Sequence, residues 1–296
     1  MGAKACQTSG IGRRHTIPAE SLFLLSAVAQ YVGAVIAIGV FDEVPPQTVA
    51  WFRILGGAVA LLGLSRRWWS GWSRHELVGI AVFGLATSGM NIFFYLAIDV
   101  IDLGKGVTLE FFGPIVVATV ATRSARNGVA LLFAFGGVAV LGGVEVAGNP
   151  LGLVYIMLAS ALWALYIVVG SRVAKVGRGV TGLGLGLLIG AVVTAPVGAP
   201  WSGPVWLSPR LLGLCLVIGV LSTAIGYGID QYTMRLIPVR RFSLLLALLP
   251  VTASLIGWVA LGQRPSTIDA LGICLVLIGV AAQEREELHP ERGQNV

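Results

Sequence analysis

Apolar residues fill this chain in ten long runs, at about 20–40, 47–65, 77–98, 103–122, 128–147, 151–171, 181–200, 210–233, 238–261 and 267–283. A helix that crosses a bilayer needs about 20 mostly apolar residues. Nearly every run meets that length, and only short polar segments separate them. The pattern predicts an all-α integral membrane protein with ten transmembrane helices. Phe242–Leu261 is the clearest, without a single charge. The fifth run, with Glu145 near its end, and the tenth, with Asp269 near its start, are the weakest. The polar stretch 1–18 reads as a disordered N-terminus and 284–296 as a tail. The first apolar run is long enough to span rather than to serve as a cleaved signal.

Composition sharpens the class. The 296 residues are 56% hydrophobic and 11% charged, with a mean hydropathy of +0.87. A soluble domain carries roughly 25% charged residues. There are 40 glycines, which suits closely packed membrane helices. The net charge of +6 lies in loops between spans, so it does not indicate a nucleic-acid partner. Cys6, Cys215 and Cys274 have no metal-binding spacing. Of the 20 basic residues, sixteen fall in the termini and the even-numbered loops; the odd loops hold Lys105, Arg210 and Arg264. The positive-inside rule then places both termini in the cytoplasm.

The chain also repeats itself. At an offset of about 136, Ile101 falls on Ile237, Pro114 on Pro250, and the stripe Thr87, Asn91, Tyr95 on Thr223, Tyr227, Gln231. Ser26-Ala27 resembles Ser160-Ala161. The segments 20–147 and 151–283 thus read as two five-helix copies. Five is odd, so the copies are inverted. Inverted repeats are a transporter architecture, with the substrate near the midplane between them.

Arg53 and Glu110 stand deep inside apolar runs, in the second and fourth helices. Each lies about 10 Å from the outer end of its helix at 1.5 Å per residue. Charge at that depth is costly and usually has a task. The two together suit a zwitterion, with Glu110 toward an ammonium and Arg53 toward a carboxylate. A plain Arg53–Glu110 ion pair is the competing reading. Pro114 displaces the carbonyl of Glu110 itself, four residues back, and Pro250 does the same to Leu246. Asn91 and Tyr95 on the third helix, with Tyr227 and Gln231 on the eighth, are candidate lining residues. Trp163, Tyr166, Gln30 and Tyr31 are weaker candidates. Gly182, Gly186 and Gly190, four residues apart, read as a packing face.

Gly-Met-Asn-Ile-Phe-Phe-Tyr-Leu-Ala-Ile at 89–98, followed by Leu-Glu-Phe-Phe-Gly-Pro at 109–114, resembles the threonine/homoserine exporter branch of the drug/metabolite transporter superfamily, whose repeat is the EamA domain. Pro46 with Arg53 is similar to the opening of that repeat's second helix, and Leu261-Gly262-Gln263 to its Leu-Gly-Glu motif, with Gln263 in place of the acid. The resemblance spans about 20–283. It implies EamA-like repeats, a secondary transporter in the cytoplasmic membrane, and export of small polar metabolites such as threonine or homoserine by alternating access. Protons are an allowed partner through Glu110; no cofactor or metal is implied. Export of hydrophobic cationic drugs is the alternative within the superfamily. A membrane enzyme or an assembly subunit are the alternatives outside it. His15, His75 and His289 all lie in a tail or loop, which leaves an enzyme little acid–base equipment. No nucleotide-binding Gly-x-x-x-x-Gly-Lys-Ser/Thr occurs, so ATP does not drive transport directly. Ten spans require a reporter fused after Arg178 to be cytoplasmic and one at Asn149 to be external; finding both on one side would refute them.

Overall fold

The computed structural model describes residues 19–64, 69, 71–122, 124–173, 179–230, 232 and 248–282. Among them the chain is helical and has no strand. The helices are α1 (Ala19–Ile38), α2 (Pro46–Gly63), α3 (Arg74–Ile98), α4 (Leu103–Glu110), α5 (Phe112–Thr122), α6 (Ala125–Gly148), α7 (Pro150–Val173) and α8 (Gly179–Gly198). They continue with the short α9 (Gly203–Leu207), then α10 (Pro209–Ile218), which runs on as a π-helical segment over Gly219–Tyr227, then α11 (Leu248–Leu261) and α12 (Thr267–Ala282). Each falls on one of the expected apolar runs, apart from the short α9. Five are long and apolar enough to cross a membrane: Ser21–Ile38, Arg74–Ile98, Pro150–Gly170, Val180–Trp201 and Pro209–Asp230. Ala125–Leu141, α11 and α12 are shorter apolar helices. The expected N-terminal stretch 1–18, the tail 284–296, and Gln231 with Arg235, Arg240 and Arg241 lie outside the described residues.

The distribution of side chains is that of a protein solvated by lipid. Val259, Leu132, Val192 and Val78 are exposed on helix faces, whereas Ser26, Arg53, Thr87, Asn91, Glu110 and Thr223 are buried. Without water, the helices associate by close packing and internal hydrogen bonds. α3 packs on α7 and α8, α10 and its π segment on α1 and α2, α2 on α8, and α6 on α12. α11 packs on α1 and α4, while α5 packs on α7.

Small residues set the tightest contacts. A Cβ on Gly84 of α3 would fall on the Gly186 carbonyl of α8, and one on Gly190 would meet the Ser88 hydroxyl and the Gly84 carbonyl. Two of the three glycines of the expected packing stripe therefore form the α3–α8 seam; Gly182 is looser, with Trp72 as its neighbour. Gly56 and Gly57 of α2 make the same kind of approach to Gly219 and Thr223.

Gly84→Ala tests this seam. Overpacking there is expected to cost about 1–3 kcal/mol and to lower the melting temperature in detergent. Gly136→Ala is the control, because a Cβ at Gly136 has open space. That substitution gains helix propensity of up to about 1 kcal/mol. Equal melting temperatures for Gly84→Ala and the parent would show that the seam is not close-packed.

Candidate functional site

The site begins where α2 crosses the π segment. Arg53 sits one turn above Gly56 and Gly57, whose missing side chains let the two backbones come together. A π segment has a wider turn than an α-helix and turns its side chains out of α register; such segments occur frequently at functional sites. Here it carries Thr223 and Tyr227 toward Arg53. Arg53 Nε donates to Thr223 Oγ1 at 3.4 Å. Its guanidinium carbon lies 5.2 Å from the ring centre of Tyr95 and 5.9 Å from that of Tyr227. A cation is attracted to ring faces at such distances. Asn91 Nδ2 donates to the Thr87 carbonyl at 2.8 Å and reaches Tyr227 Oη at 3.3 Å. The stripe on α3 thus meets its counterpart on the π segment directly.

Hydrogen-bonding capacity here is largely unspent. A guanidinium has five N–H donors, and Arg53 makes one long bond among the described residues. Among the described residues the buried Tyr95 hydroxyl makes no hydrogen bond of good geometry, although Arg53 and Ser222 approach it as hydrogen-bonding neighbours. Buried polar groups are nearly always satisfied, so each exception calls for an explanation. Glu110 is 7% exposed and also has no ion pair among the described residues. Arg53 and Glu110 are therefore not bonded to each other, contrary to the ion-pair reading. Both lie within electrostatic reach of Tyr31 on α1, as does Asp230.

Glu110 ends α4. The helix breaks at Phe111 and resumes at Phe112, between the acid and Pro114 as the sequence anticipates. α7 supports the break. The Gly113 N–H donates to Ser160 Oγ at 2.7 Å, and a Cβ on Gly113 would strike the Ser160 carbonyl. Trp163 packs edge-on against Phe111 at 4.9 Å, next to Glu110. Tyr166 lies on Phe83 at 4.8 Å, in the α3–α7 wall. Pro250 stands in the first turn of α11; the matching break at Leu246 lies outside the described residues, as does Gln231.

The sequence reading missed Asp230. It lies inside the 210–233 run, yet close enough to its end to pass for a loop residue. In the structure its carboxylate meets Ser26 Oγ at 2.6 Å and Gln30 Nε2 at 3.1 Å, both on α1. Gln30 and Tyr31, weak candidates by sequence, are thereby drawn into the polar interior.

A separate shallow cleft lies at the ends of α4, α11 and α12, away from Arg53 and Glu110, lined by Asp102, Lys105, Ser254, Gln263 and Asp269 among others. Lys105 bridges Asp102 at 3.5 Å and Asp269 at 3.4 Å. Gly262 closes α11 in a left-handed conformation, φ +71°, and its N–H bonds the Trp258 carbonyl. That turn presents Gln263, whose Oε1 accepts the Leu103 N–H at 3.1 Å. An amide oxygen suffices to cap α4 from outside, so the missing acid of the motif costs nothing at this contact.

Residues 150–282 match the EamA-like transporter family. With relatives 30% identical over more than four-fifths of its length, the chain belongs to that family: it is a multi-pass membrane transporter, not an enzyme. It is similar to the threonine/homoserine exporter RhtA of Salmonella typhimurium (strain LT2), 30% identical over 252 residues, which are 83% of this chain and 84% of that protein. To RhtA of Escherichia coli (strain K12) it is 30% identical over 264 residues, 86% of this chain and 88% of that protein. YyaM of Bacillus subtilis (strain 168), an uncharacterized transporter, is 26% identical over 266 residues, 82% of this chain and 85% of that protein. A solved structure shares the fold at a TM-score of 0.60 and 19% identity, over 90% of this chain and 97% of its own.

The separation of Arg53 from Glu110 predicts a stability result. Arg53→Ala loses two cation–π contacts, each worth about 0.5–2 kcal/mol. Adding Glu110→Ala is expected to recover little of the lost yield or melting temperature. Full recovery in the double variant would mean that the two residues pair.

Proposed function

We propose that this transporter exports a small amino acid, of the threonine or homoserine class, from the cytoplasm by alternating access. The observation that carries the proposal is the unspent chemistry around Arg53. Among the described residues, a buried guanidinium with one long hydrogen bond, a buried phenol without a well-formed one and a buried carboxylate without an ion pair stand in one interior. The carboxylate of a zwitterion would satisfy Arg53 and Tyr95, and its ammonium would satisfy Glu110. Asn91, Tyr227 and Trp163 then line the path, and Tyr166 extends the proposed lining. The printed names of the RhtA relatives agree with this substrate class. A hydrophobic cationic drug would leave Arg53 unpaired and repelled, so the amino acid is the better occupant.

The proposal includes ten membrane crossings in two inverted repeats, 20–147 and 151–283, both EamA-like, with both termini cytoplasmic and the bilayer a bacterial inner membrane. Helix neighbours support it. Take α1, α2, α3, α4 with α5, and α6 as one set, and α7, α8, α10 with its π segment, α11 and α12 as the other. Exchanging the sets turns α3 on α7 into α10 on α1, α3 on α8 into α10 on α2, and α5 on α7 into α11 on α1. The pairs α2–α8, α4–α11 and α6–α12 map onto themselves. All of these contacts occur. The family match over 150–282 coincides with the second set. Two ion pairs join the sets at the end assigned to the outside: Glu43 with Arg210 at 2.8 Å and Lys105 with Asp269 at 3.4 Å. They suit a state closed to the exterior.

The test is counterflow of labelled threonine or homoserine by the full-length protein in liposomes. Glu110→Gln is expected to insert normally and lose tenfold or more of the rate, about 1.4 kcal/mol or greater in the limiting step. Glu110→Asp retains part of it. Parental rates from Glu110→Gln at both neutral and mildly acidic pH would remove Glu110 from the site.

A further inference from the structure

Resting on the transporter reading above, we propose that Asp230 is a proton-binding site, with the Ser26 hydroxyl as the switch that registers its protonation. The argument is a count of hydrogens. Ser26 Oγ has three polar neighbours: the Gly226 carbonyl at 2.9 Å, Asp230 Oδ1 at 2.6 Å and Gln30 Nε2 at 3.0 Å. A hydroxyl offers one donor and two lone pairs. The carbonyl can only accept, so it takes the single hydrogen of Ser26. Gln30 Nε2 can only donate, so it fills one lone pair. The remaining lone pair faces Asp230 Oδ1, and that contact is a hydrogen bond only when Asp230 supplies the hydrogen. All three contacts are satisfied together with Asp230 protonated. Gln30 donates its second amide hydrogen to Asp230 Oδ2 at 3.1 Å, which accepts in either state.

With Asp230 ionised, the Ser26 hydrogen must turn to Oδ1, where a charge-assisted bond is about twice as strong as a neutral one. The Gly226 carbonyl then loses the Ser26 hydrogen. That carbonyl belongs to the π segment, whose Thr223 and Tyr227 face Arg53. Loss of the proton thus changes the bonding of the element that holds the substrate site. Gly226 permits the geometry, since a Cβ there would meet the Gln30 side chain. A second contact, Ser222 Oγ donating to the Gln30 carbonyl at 3.1 Å, fixes α1 against the same segment.

Among the described residues, the charged and titratable groups around Asp230 do not provide a counter-ion. Tyr31 comes from α1 and Tyr227 from its own segment. Arg53 on α2 and Glu110 on α4 act on Tyr31 and Tyr227. Asp230 has no ion pair among the described residues. A proton, which Ser26 and Gln30 are placed to accommodate, is the neutralising partner that the geometry fits. Glu110 then remains for the substrate ammonium, and the two acids divide the work.

Infrared spectroscopy of the full-length protein in liposomes reads this directly, without a substrate. The parent is expected to show the C=O stretch of a protonated, hydrogen-bonded carboxyl at neutral pH. Asp230→Asn abolishes that band, Ser26→Ala shifts it, and Glu110→Gln leaves it in place. A parent-minus-Asp230→Asn difference spectrum that lacks a protonated-carboxyl band overturns the proposal. In transport, amino-acid movement driven by a pH gradient is expected to fall about tenfold more in Asp230→Asn than counterflow does. Equal losses in the two assays also overturn it. If Asp230→Asn fails to reach the membrane, the Ser26→Ala band decides, and an unshifted band counts against the switch. A parent without amino-acid counterflow would sink the substrate assignment while leaving the infrared result standing.

Discussion

A guanidinium that cannot reach water governs the middle of this bundle. Arg53 is 4% exposed and lies one turn from the glycines where α2 meets the π segment. A charge at membrane depth costs at least about 2.5–3.5 kcal/mol unless the protein answers it. Among the described residues the answer is two aromatic faces and one hydroxyl, which ease the charge and take only one of its donors. That combination is possible only because Gly56, Gly57 and Gly219 bring the helices close enough for Tyr95 and Tyr227 to bracket the same group. Larger residues there would push the π segment away and leave Arg53 with lipid. The close packing and the open chemistry therefore depend on each other.

Much of this interior is visible in the chain itself. Arg53 and Glu110 stand out because charge inside an apolar run is rare. The four-residue spacing of Thr87, Asn91 and Tyr95 puts them on one face before any coordinates exist. The break beside Glu110 follows from Pro114, which can give no hydrogen to the carbonyl of Glu110. The helix boundaries follow from run length, to within a few residues over the described part.

Other features lie beyond such reasoning. Whether two opposite charges at one depth touch depends on helix rotation, and periodicity constrains rotation only loosely. An ion pair and a ligand site hence look alike in sequence, and Arg53 turns out to face tyrosines. Asp230 hides because a carboxylate near the end of an apolar run normally reaches the interface. Here a partner helix, not the interface, receives it, and only the juxtaposition of residues 200 positions apart shows this. The π segment leaves no periodic mark of its own, because Gly219–Tyr227 is apolar on most sides. Gln263 carries a related lesson: reading the acid of a motif as a charge suggests a lost function, whereas the contact requires only an oxygen that accepts a backbone N–H.

The polar seam between α1 and the π segment and the aromatic cradle of Arg53 meet in one helix. Thr223 and Tyr227 belong to the cradle; Ser222, Gly226 and Asp230 belong to the seam. Residues four apart lie on one face of an α-helix, and a π turn, with more residues per turn, keeps them close to one face as well. Widening lets a single segment present one set of side chains to α2 and α3 and another to α1. Such a segment can also return to α-helical bonding by changing which carbonyl each N–H uses. A carbonyl such as that of Gly226, held by a side chain from another helix, is a point where that choice can be biased. On the proposals above, proton binding at one face and substrate binding at the other would act on the same backbone, which is the coupling that a secondary transporter requires.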